Sequence, residues 1–257
     1  MTVLAIIQAR MGSSRLAGKT LADIAGRPML ARVVDRVKQI PHVDRIVVAT
    51  TANAADETVV RLATACGVGC FAGSEHDVLD RFHGAALHYR ADAIVRITAD
   101  CPLLDPQVAG RVVSRFLADP CDYASNVHPP TYPDGLDTEV MSFAVLQDAW
   151  ERAQSAFDRE HVTPYIWSHP ERFRIVNVEH SIDLSPLRWT VDEAADLTFV
   201  NAVYTGLAAS GGTFGMQEVL GLLKRCPDLL SINVQHNRKA AQIPTIQRNA
   251  GHVDRAN

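Results

Sequence analysis

Short runs of β-branched residues alternate with segments of helical periodicity along the N-terminal part of the chain, and this alternation constrains the fold more than any other feature. The candidate strands are VLAIIQ, DRIVVAT, GVGCF and DAIVRIT, and the candidate helices between them are PMLARVVDRVKQI, DETVVRLATAC and DVLDRFHGAALHYR. Such alternation is typical of a parallel sheet with helices on its faces. We therefore predict an α/β fold with a Rossmann-like mixed, mainly parallel sheet flanked by helices.

The helix predicted to begin at Pro28 shows the expected periodicity clearly. Leu30, Val33, Val34 and Val37 recur at the i, i+3, i+4, i+7 spacing of one helical face. Proline suits the first turn of a helix because it has no N–H to leave unpaired there. One face of this helix is expected to pack on the sheet.

The pattern changes after Asp119. A strand-like CDYASNV is followed by the turn-rich HPPTYPDGLDTEV, then by the strand-to-helix segment MSFAVLQDAWERA, a strand candidate RFRIVNV, the segment LRWTVD and a helical EAADLTFVNAVYTGLAA. The proline-rich loop reads as too polar and rigid for the core and is expected to carry binding residues. Because periodicity is lost near Lys239, we predict one domain over residues 1–238 and a mobile tail over residues 239–257.

Composition argues against several classes of protein. A formal net charge of −4 gives no general attraction for nucleic acid. No apolar run approaches the ~20 residues of a membrane helix, and no basic segment with a longer apolar stretch marks an export signal. The five cysteines form no Cys-x-x-Cys pair, which favours reduced, mostly buried thiols. We expect a cytoplasmic protein with no nucleic-acid or membrane partner.

The opening stretch IIQARMGSSRLAGKT ends in Gly-Lys-Thr, as a P-loop does. A P-loop needs Gly-x-x-x-x-Gly-Lys-[Ser/Thr], and counting back from Gly18 reaches Ser13, because Gly12 is one position too far. GVGCFA, at residues 67–72, fits the dinucleotide pattern Gly-x-Gly-x-x-Ala but follows a helix and enters a strand, the reverse of the required context. Neither motif predicts its usual nucleotide site.

The opening loop nevertheless suits a triphosphate. It follows a strand, and open α/β sheets bind ligands at the carboxyl ends of their strands. Glycines let a phosphate approach the backbone, hydroxyls donate hydrogen bonds, arginine binds phosphate as a fork and lysine as a point charge. A solvated surface loop is the alternative. The residues concerned are Arg10, Gly12, Ser13, Ser14, Arg15 and Lys19.

These residues also carry a family resemblance. QARMGSSRLAGK resembles the opening signature of the acylneuraminate cytidylyltransferase superfamily, especially its SpsF-like branch, and is similar to the opening motif of 3-deoxy-manno-octulosonate cytidylyltransferases. GSEHDVLDRF, VRITADCPLLDP, TYPDGLDTEV, REHVTPYI and LRWTVDEAADL match the same branch in the same order, so the likeness spans about residues 3–207. Ala17 departs from it, since the family usually has proline there; the loop should loosen slightly without losing a phosphate ligand.

Two aspartates are candidate metal ligands. Asp100 follows the strand DAIVRIT, and Asp192 follows LRWTV, a candidate strand. Magnesium prefers hard oxygen ligands, usually one or two carboxylates with substrate phosphates and water. The alternative is that each aspartate caps a turn or helix. The resemblance favours the metal, because the family's metal-binding aspartates match these two positions.

The resemblance further implies a nucleotide-diphospho-sugar transferase type of fold, CTP as co-substrate, Mg²⁺ as cofactor, and roles for named residues. A structural role is the alternative for several of these positions. Asp77 could belong to the start of a helix, since Ser74 and Asp77 have capping-box spacing. The acidic loop TYPDGLDTEV could be a solvated turn, and a lone histidine such as His161 is often structural. The acidic loop suggests recognition of hydroxyl or amino groups. The implied catalytic residues are Arg15 and Lys19, the nucleotide-binding residues Ala9, Arg10, Gly12, Ser13, Ser14, Thr50 and Asp77, and the acceptor-binding residues Tyr132, Asp134, Asp137, Glu139 and His161.

We interpret the chain as a cytidylyltransferase that activates an acidic sugar or related acceptor for cell-surface polysaccharide synthesis and releases pyrophosphate. One alternative is a nucleotide-sugar glycosyltransferase, but these generally use an Asp-x-Asp motif and the chain has none. Another is a non-catalytic nucleotide-binding protein, which would be expected to lack the metal ligands or the cations. His83 and His88 miss the i, i+4 spacing of a helical zinc pair. The assembly state is left open, with a homodimer as one option.

Overall fold

The computed structural model describes residues 1–13, 15–208 and 214–234. Ser14 and the predicted tail over residues 239–257 lie outside the described residues. No helix in the described ranges is both long enough and apolar enough to cross a membrane.

A seven-stranded sheet forms the centre of the described fold. Its strands are β1 Val3–Gln8, β4 Arg45–Thr51, β5 Gly69–Gly73, β6 Ala93–Thr98, β7 Tyr123–Ser125, β8 Glu139–Ser142 and β9 Ile175–Asn177, with a separate hairpin of β2 Asp23–Ile24 and β3 Arg27–Pro28. The strand order in the sheet is β5-β4-β1-β6-β8-β7-β9. Strands β5, β4, β1 and β6 are parallel, β8 is antiparallel to both of its neighbours, and β9 is parallel to β7. This sheet confirms the predicted mixed, mainly parallel arrangement.

Helices cover both faces of this sheet. The described helices are α1 Met29–Val37, α2 Glu57–Ala65, α3 Val78–His88, α4 Pro106–Ala118, α5 Phe143–Arg152, α6 Ala156–His161, α7 Pro164–Trp167, α8 Ala194–Gly206 and α9 Met216–Arg225. Strand β1 is buried on both sides: Ala5 and Ile7 pack in the core that includes α1 and α4, whereas Leu4 and Ile6 pack in the core that includes α3 and α5. A third core lies under α8 and α9.

Two helix starts refine the sequence predictions. Helix α1 begins at Met29, and Pro28 precedes it as the cap in a non-helical conformation. Helix α3 is capped by Asp77, whose side chain accepts a hydrogen bond from the Asp80 N–H, while Ser74 Oγ accepts one from the Asp77 N–H. The hydrogen bonds of a helix start are therefore present, one turn later than a cap at Ser74 would place them.

The proline-rich loop is largely buried, contrary to the prediction that it is too polar for the core. Tyr132 and Leu136 are part of the third core, and Glu139, which begins β8, is 4% exposed. The loop packs on residues 187–191, which do not form a sheet strand as the sequence suggested. A bridge between Asp134 and Arg188 joins the two segments. The Asp134 N–H donates to the Leu187 carbonyl and the Trp189 N–H to the Asp134 carbonyl.

The cysteines also differ from expectation in part. All five are free thiols, but only Cys101 is fully buried, and Cys226 is exposed. Burial, reinforced by Asp100, holds the pKa of the Cys101 thiol well above its ordinary value, so this thiol is protonated at neutral pH.

Candidate active site

A pocket of about 320 Å³ opens at the carboxyl ends of β1 and β6. These ends are where open α/β sheets place their ligands. A larger cavity of about 660 Å³, between the N-termini of α4 and α9, shares no lining residue with it. The smaller pocket is lined by Gln8, Ala9, Arg10, Gly12, Ser13, Arg15, Lys19, Thr20, Met29, Val78, Arg81, Thr98, Ala99, Asp100, Glu160, His161 and Asp192.

Local hydrogen bonds shape the opening loop on one side of this pocket. Gly18 adopts a left-handed conformation with φ of 68°, which starts the short 3-10 turn Lys19–Leu21. The Thr20 hydroxyl donates to the Arg10 carbonyl at 2.7 Å and closes the loop. Apart from its two chain neighbours, no described residue has an atom within 4 Å of the position a Cβ on Gly12 would take, so the backbone is open to a ligand on that side.

Lys19 joins the two predicted metal ligands. Its Nζ donates to Asp100 Oδ2 at 3.0 Å, to Asp192 Oδ1 at 2.8 Å and to the Val191 carbonyl at 2.9 Å. Burial lowers the pKa of Lys19, but the two carboxylates outweigh that effect and the net pKa is raised. The structure thus brings together a cation of the opening loop and two carboxylates from distant parts of the chain.

Both carboxylate oxygens of Asp192 contact cationic side chains. Its Oδ1 also forms an ion pair with the Arg15 guanidinium at 2.9 Å, and its Oδ2 accepts a hydrogen bond from Arg188 at 3.0 Å. Burial alone would raise the pKa of Asp192, but Lys19, Arg188 and Arg15 reverse the shift and hold the pKa below its ordinary value. Arg188 is nearly buried and also pairs with Asp134 and Asp196. The residue spacing in LRWTVDEAADL does not identify Arg188 as part of the site. Its partners Asp134, Asp192 and Asp196 come together around it only in the folded chain.

Arg81, like Arg188, was not predicted from the sequence as a residue of the site. It lies on α3, is 2% exposed and lines the pocket. One guanidinium nitrogen donates to the Ser74 carbonyl, but the Nε has no hydrogen-bond partner among the described residues. Burial, followed by the charge of Arg10, lowers the pKa of Arg81. A buried cation with an unpaired donor beside a second cation suits an anionic ligand. The one sequence feature that could have pointed to Arg81 is that it is the arginine of the family motif GSEHDVLDRF.

The predicted nucleotide-binding residues divide between the pocket and the interior. Ala9, Arg10, Gly12 and Ser13 line the pocket with Arg15 and Lys19. Thr50 is fully buried on β4, and its hydroxyl has no partner among the described residues. Asp77 caps α3 and pairs with Arg159. Neither Thr50 nor Asp77 is among the lining residues, and Ser14 lies outside the described residues.

The predicted acceptor residues do not form one surface patch. Glu139 is buried against Arg96 and accepts the Tyr123 hydroxyl at 2.5 Å. Tyr132 lines the larger cavity, Asp134 pairs with Arg188, and Asp137 is half-buried outside the pocket lining.

His161 alone of these predicted acceptor residues lines the smaller pocket, next to Glu160. Partial desolvation lowers the pKa of His161, so its imidazole is neutral at pH 7.

The chemistry of the donor set fits a divalent cation. Two carboxylates and a backbone carbonyl present hard oxygen atoms to one point, now contacted by the Lys19 ammonium. No group of three or more His, Cys, Asp or Glu side chains that could hold a metal occurs in the described ranges. Substrate phosphates and water would have to complete the coordination shell.

Comparison with known proteins identifies the family. A family model described as Cytidylyltransferase matches residues 4–196. The spore coat polysaccharide biosynthesis protein SpsF of Bacillus subtilis is 32% identical over 234 residues, covering 88% of this chain and 95% of that protein. A 3-deoxy-manno-octulosonate cytidylyltransferase of Trichlorobacter lovleyi is 34% identical over 121 residues, 47% of each chain.

A solved structure agrees with these matches. The cytidylyltransferase of Leptospira borgpetersenii superposes with a TM-score of 0.86 at 29% identity, covering 90% of this chain and 97% of that one. The extent of these matches, taken with the fold and the pocket, shows that the chain belongs to the cytidylyltransferase family, in its SpsF-like branch, and is an enzyme of the nucleotidyltransferase class.

Proposed function

We propose that the enzyme transfers the cytidylyl group of CTP to an oxygen of an acidic sugar or related acceptor, in the cytoplasm, for cell-surface polysaccharide synthesis. The observation that carries this proposal is the convergence of Lys19 on Asp100 and Asp192 at the carboxyl end of the sheet. The full-length similarity to SpsF, a protein named for spore coat polysaccharide biosynthesis, supports the pathway class. The partial similarity to a 3-deoxy-manno-octulosonate cytidylyltransferase supports an acidic sugar as acceptor.

In the proposed reaction the oxygen of an acceptor hydroxyl forms a bond to the α-phosphorus of CTP and loses its proton to water, and the bond from that phosphorus to the β-phosphate bridging oxygen breaks. Pyrophosphate leaves with the electron pair. Arg15 and Lys19 stabilise the negative charge that develops on the leaving phosphates, and Arg10 and Arg81 orient the nucleotide. Removing one such contact typically lowers the rate by about 10²–10³-fold.

Asp100 and Asp192 would hold Mg²⁺, with Arg188 fixing the orientation of Asp192. When bound, the metal would neutralise phosphate oxygens as a Lewis acid. Glu160 and His161 line the pocket without adding positive charge, so we place the acceptor against them and the triphosphate against the cations of the opening loop. A neutral His161 imidazole can accept a hydrogen bond from an acceptor hydroxyl.

Pyrophosphate release tests this function. The enzyme is incubated with Mg²⁺ and each of CTP, UTP, ATP and GTP, over a panel of acidic sugars, sugar phosphates and phosphonates. We expect acceptor-dependent release from CTP, a cytidylylated product by mass spectrometry, and loss of both when EDTA removes the metal. Equal release from all four nucleotides would contradict the assignment of CTP, and release without any acceptor would indicate a hydrolase.

A further inference from the structure

The three hydrogen-bond donors of the Lys19 ammonium are all occupied by protein oxygens. They point to Asp100 Oδ2, Asp192 Oδ1 and the Val191 carbonyl, all within 3.0 Å, and the side chain is only 15% exposed. An ammonium has three donors and no more. Lys19 therefore cannot contact a triphosphate strongly without giving up at least one of these oxygens.

The same oxygens are the ones that a divalent cation would use. Carboxylate and carbonyl oxygens are the ligands preferred by Mg²⁺ and Mn²⁺. Asp192 Oδ2 is already paired with Arg188, so the oxygen that Asp192 offers to a metal is Oδ1, which the buried Lys19 and the more exposed Arg15 both contact. A metal that bridges Asp100 and Asp192 on this side must displace the ammonium.

Charge balance leads to the same conclusion. With Arg188 and its other partners included, three cations face four carboxylates in the cluster around Lys19: Lys19, Arg15 and Arg188 against Asp100, Asp192, Asp134 and Asp196. Adding a divalent cation changes the net charge of this cluster from −1 to +1 in a partly buried site, and an uncompensated positive charge there is unfavourable. The negative charge of a triphosphate removes that excess and gives Lys19 new partners.

From this geometry we propose that Lys19 is an exchangeable cation that occupies the metal position and moves onto the triphosphate when metal and CTP bind together. This proposal rests on the proposed function, since it takes Asp100 and Asp192 as the metal ligands. It makes metal and nucleotide binding mutually dependent. By linkage, CTP raises the affinity for metal by the same factor by which metal raises the affinity for CTP.

Metal titration of the protein alone tests the exchange without turnover. Mn²⁺ binding is followed by electron paramagnetic resonance, with and without CTP and with no acceptor, for the wild type and for Lys19→Met. We expect Lys19→Met to bind Mn²⁺ about tenfold more tightly than the wild type in the absence of CTP, within the usual range of such couplings. It should bind CTP more weakly, and the effect of CTP on Mn²⁺ affinity should shrink.

Two matched variants make the result specific. Arg15→Met removes the same charge from Asp192 but leaves the Lys19 contacts in place, so Mn²⁺ affinity should change much less than in Lys19→Met. Asp100→Asn should weaken Mn²⁺ binding. Thermal melting checks folding, and Mn²⁺ should raise the Tm of Lys19→Met more than that of the wild type.

Unchanged or weaker Mn²⁺ binding by Lys19→Met, or an equal gain in Arg15→Met, would overturn the exchange. Unchanged Mn²⁺ affinity in Asp100→Asn would overturn the metal assignment together with it. Failure of the proposed reaction is read separately, from the pyrophosphate assay, because the titration needs no product.

Discussion

At the scale of single residues, the cations of the pocket fall into two groups with different partners. Lys19 and Arg15 are ion-paired with carboxylates, whereas Arg81 is buried and its Nε has no hydrogen-bond partner among the described residues. The charges that act on Arg81 are Arg10 and, more weakly, the carboxylates of Asp56, Asp77 and Glu75. A buried, incompletely paired guanidinium is costly to the folded protein unless a ligand completes it. Arg81 and Arg10 can therefore bind an anion directly, whereas Lys19 and Arg15 must first leave their carboxylate partners.

Arg81→Met tests the ligand role of this arginine. Because a hydrogen bond to a charged group contributes about 1.5–3 kcal/mol, we expect CTP affinity to fall by about 10–150-fold, as measured by calorimetric titration. Arg81→Lys should recover only part of the affinity, since lysine lacks the planar fork. Arg61→Met, on the exposed face of α2, is the control and should bind CTP like the wild type. A folded Arg81→Met with unchanged CTP affinity would show that this arginine is structural.

At the scale of elements, β6 and β8 are joined by a buried ion pair. Arg96 and Glu139 face each other in the antiparallel register, and Tyr123 on β7 donates to the same carboxylate. Burial raises the pKa of Glu139, but Arg96 with the Thr163 and Tyr123 hydroxyls outweighs it and the net pKa is lowered. Glu139, expected from the sequence to contact the acceptor, thus has partners that fasten the antiparallel part of the sheet.

Glu139→Gln should destabilise the protein by about 3–5 kcal/mol, because it leaves the Arg96 charge buried without its counter-ion. Urea unfolding measures this loss, and Glu57→Gln in an exposed pair on α2 should change stability by less than about 0.5 kcal/mol. A group whose pKa is lowered in the folded state stabilises it above the unfolded pKa, and that contribution is lost as pH falls through the folded pKa. The stability difference between wild type and Glu139→Gln should therefore narrow in acid. A difference that is independent of pH would contradict the ionised pair.

Gly135 couples the buried loop to the segment that ends at Asp192. Its φ is 109°, and a Cβ placed on it would lie 2.6 Å from the Trp189 carbonyl carbon and 2.7 Å from the Thr190 nitrogen. Both of these atoms belong to backbone, which cannot turn aside as a side chain can. The loop therefore holds residues 187–191 in place, and with them the carboxylate of Asp192.

Gly135→Ala should shift the backbone at Trp189 and Thr190, weaken Mn²⁺ binding at Asp192 and lower stability by more than about 3 kcal/mol, the upper end for a strained backbone position. Gly26→Ala separates backbone strain from close packing, because Gly26 has φ of 80° but, apart from its chain neighbours, no described residue within 4 Å of its Cβ position. That control should cost about 1–2 kcal/mol from backbone strain alone and leave metal binding intact. Equal effects of the two substitutions would show that close packing at Gly135 contributes nothing.

At the scale of the whole molecule, the sequence was a good guide where local pattern determines structure. The alternation of strands and helices predicts β1, β4, β5 and β6 and the helices between them, because both periodicities are visible in short windows. The alternation does not predict the structure of the loop before β8 or of residues 187–191. These two segments are buried because they pack against each other, and no local pattern records that contact. The sequence predicted Asp100, Asp192 and Lys19 as separate site residues, yet their mutual contacts, and the contacts of Arg81 and Arg188, depend on tertiary structure.

Ligand-induced stabilisation is a prediction for the molecule as a whole. At a concentration of about 100 times its Kd, Mg·CTP should stabilise the fold by about 2.7 kcal/mol, or roughly 5–10 °C in Tm for a chain of this size. Mg·UTP and Mg·ATP should give smaller shifts, and Asp192→Asn should lose the part of the CTP shift that depends on metal. Differential scanning fluorimetry measures each value. Equal shifts with all the nucleotides would indicate that the pocket does not select cytosine.

The Lys19–Asp192 contact joins positions 173 residues apart. The chain is synthesised from the N-terminus, so strands β1, β4, β5 and β6 can pair while Asp192 is still absent. A nascent chain at that stage would already carry the cations that we propose to bind phosphate, but only one of the two carboxylates. We therefore expect the capacity to cleave CTP to arise late in biosynthesis, after residues 187–191 have docked on their loop.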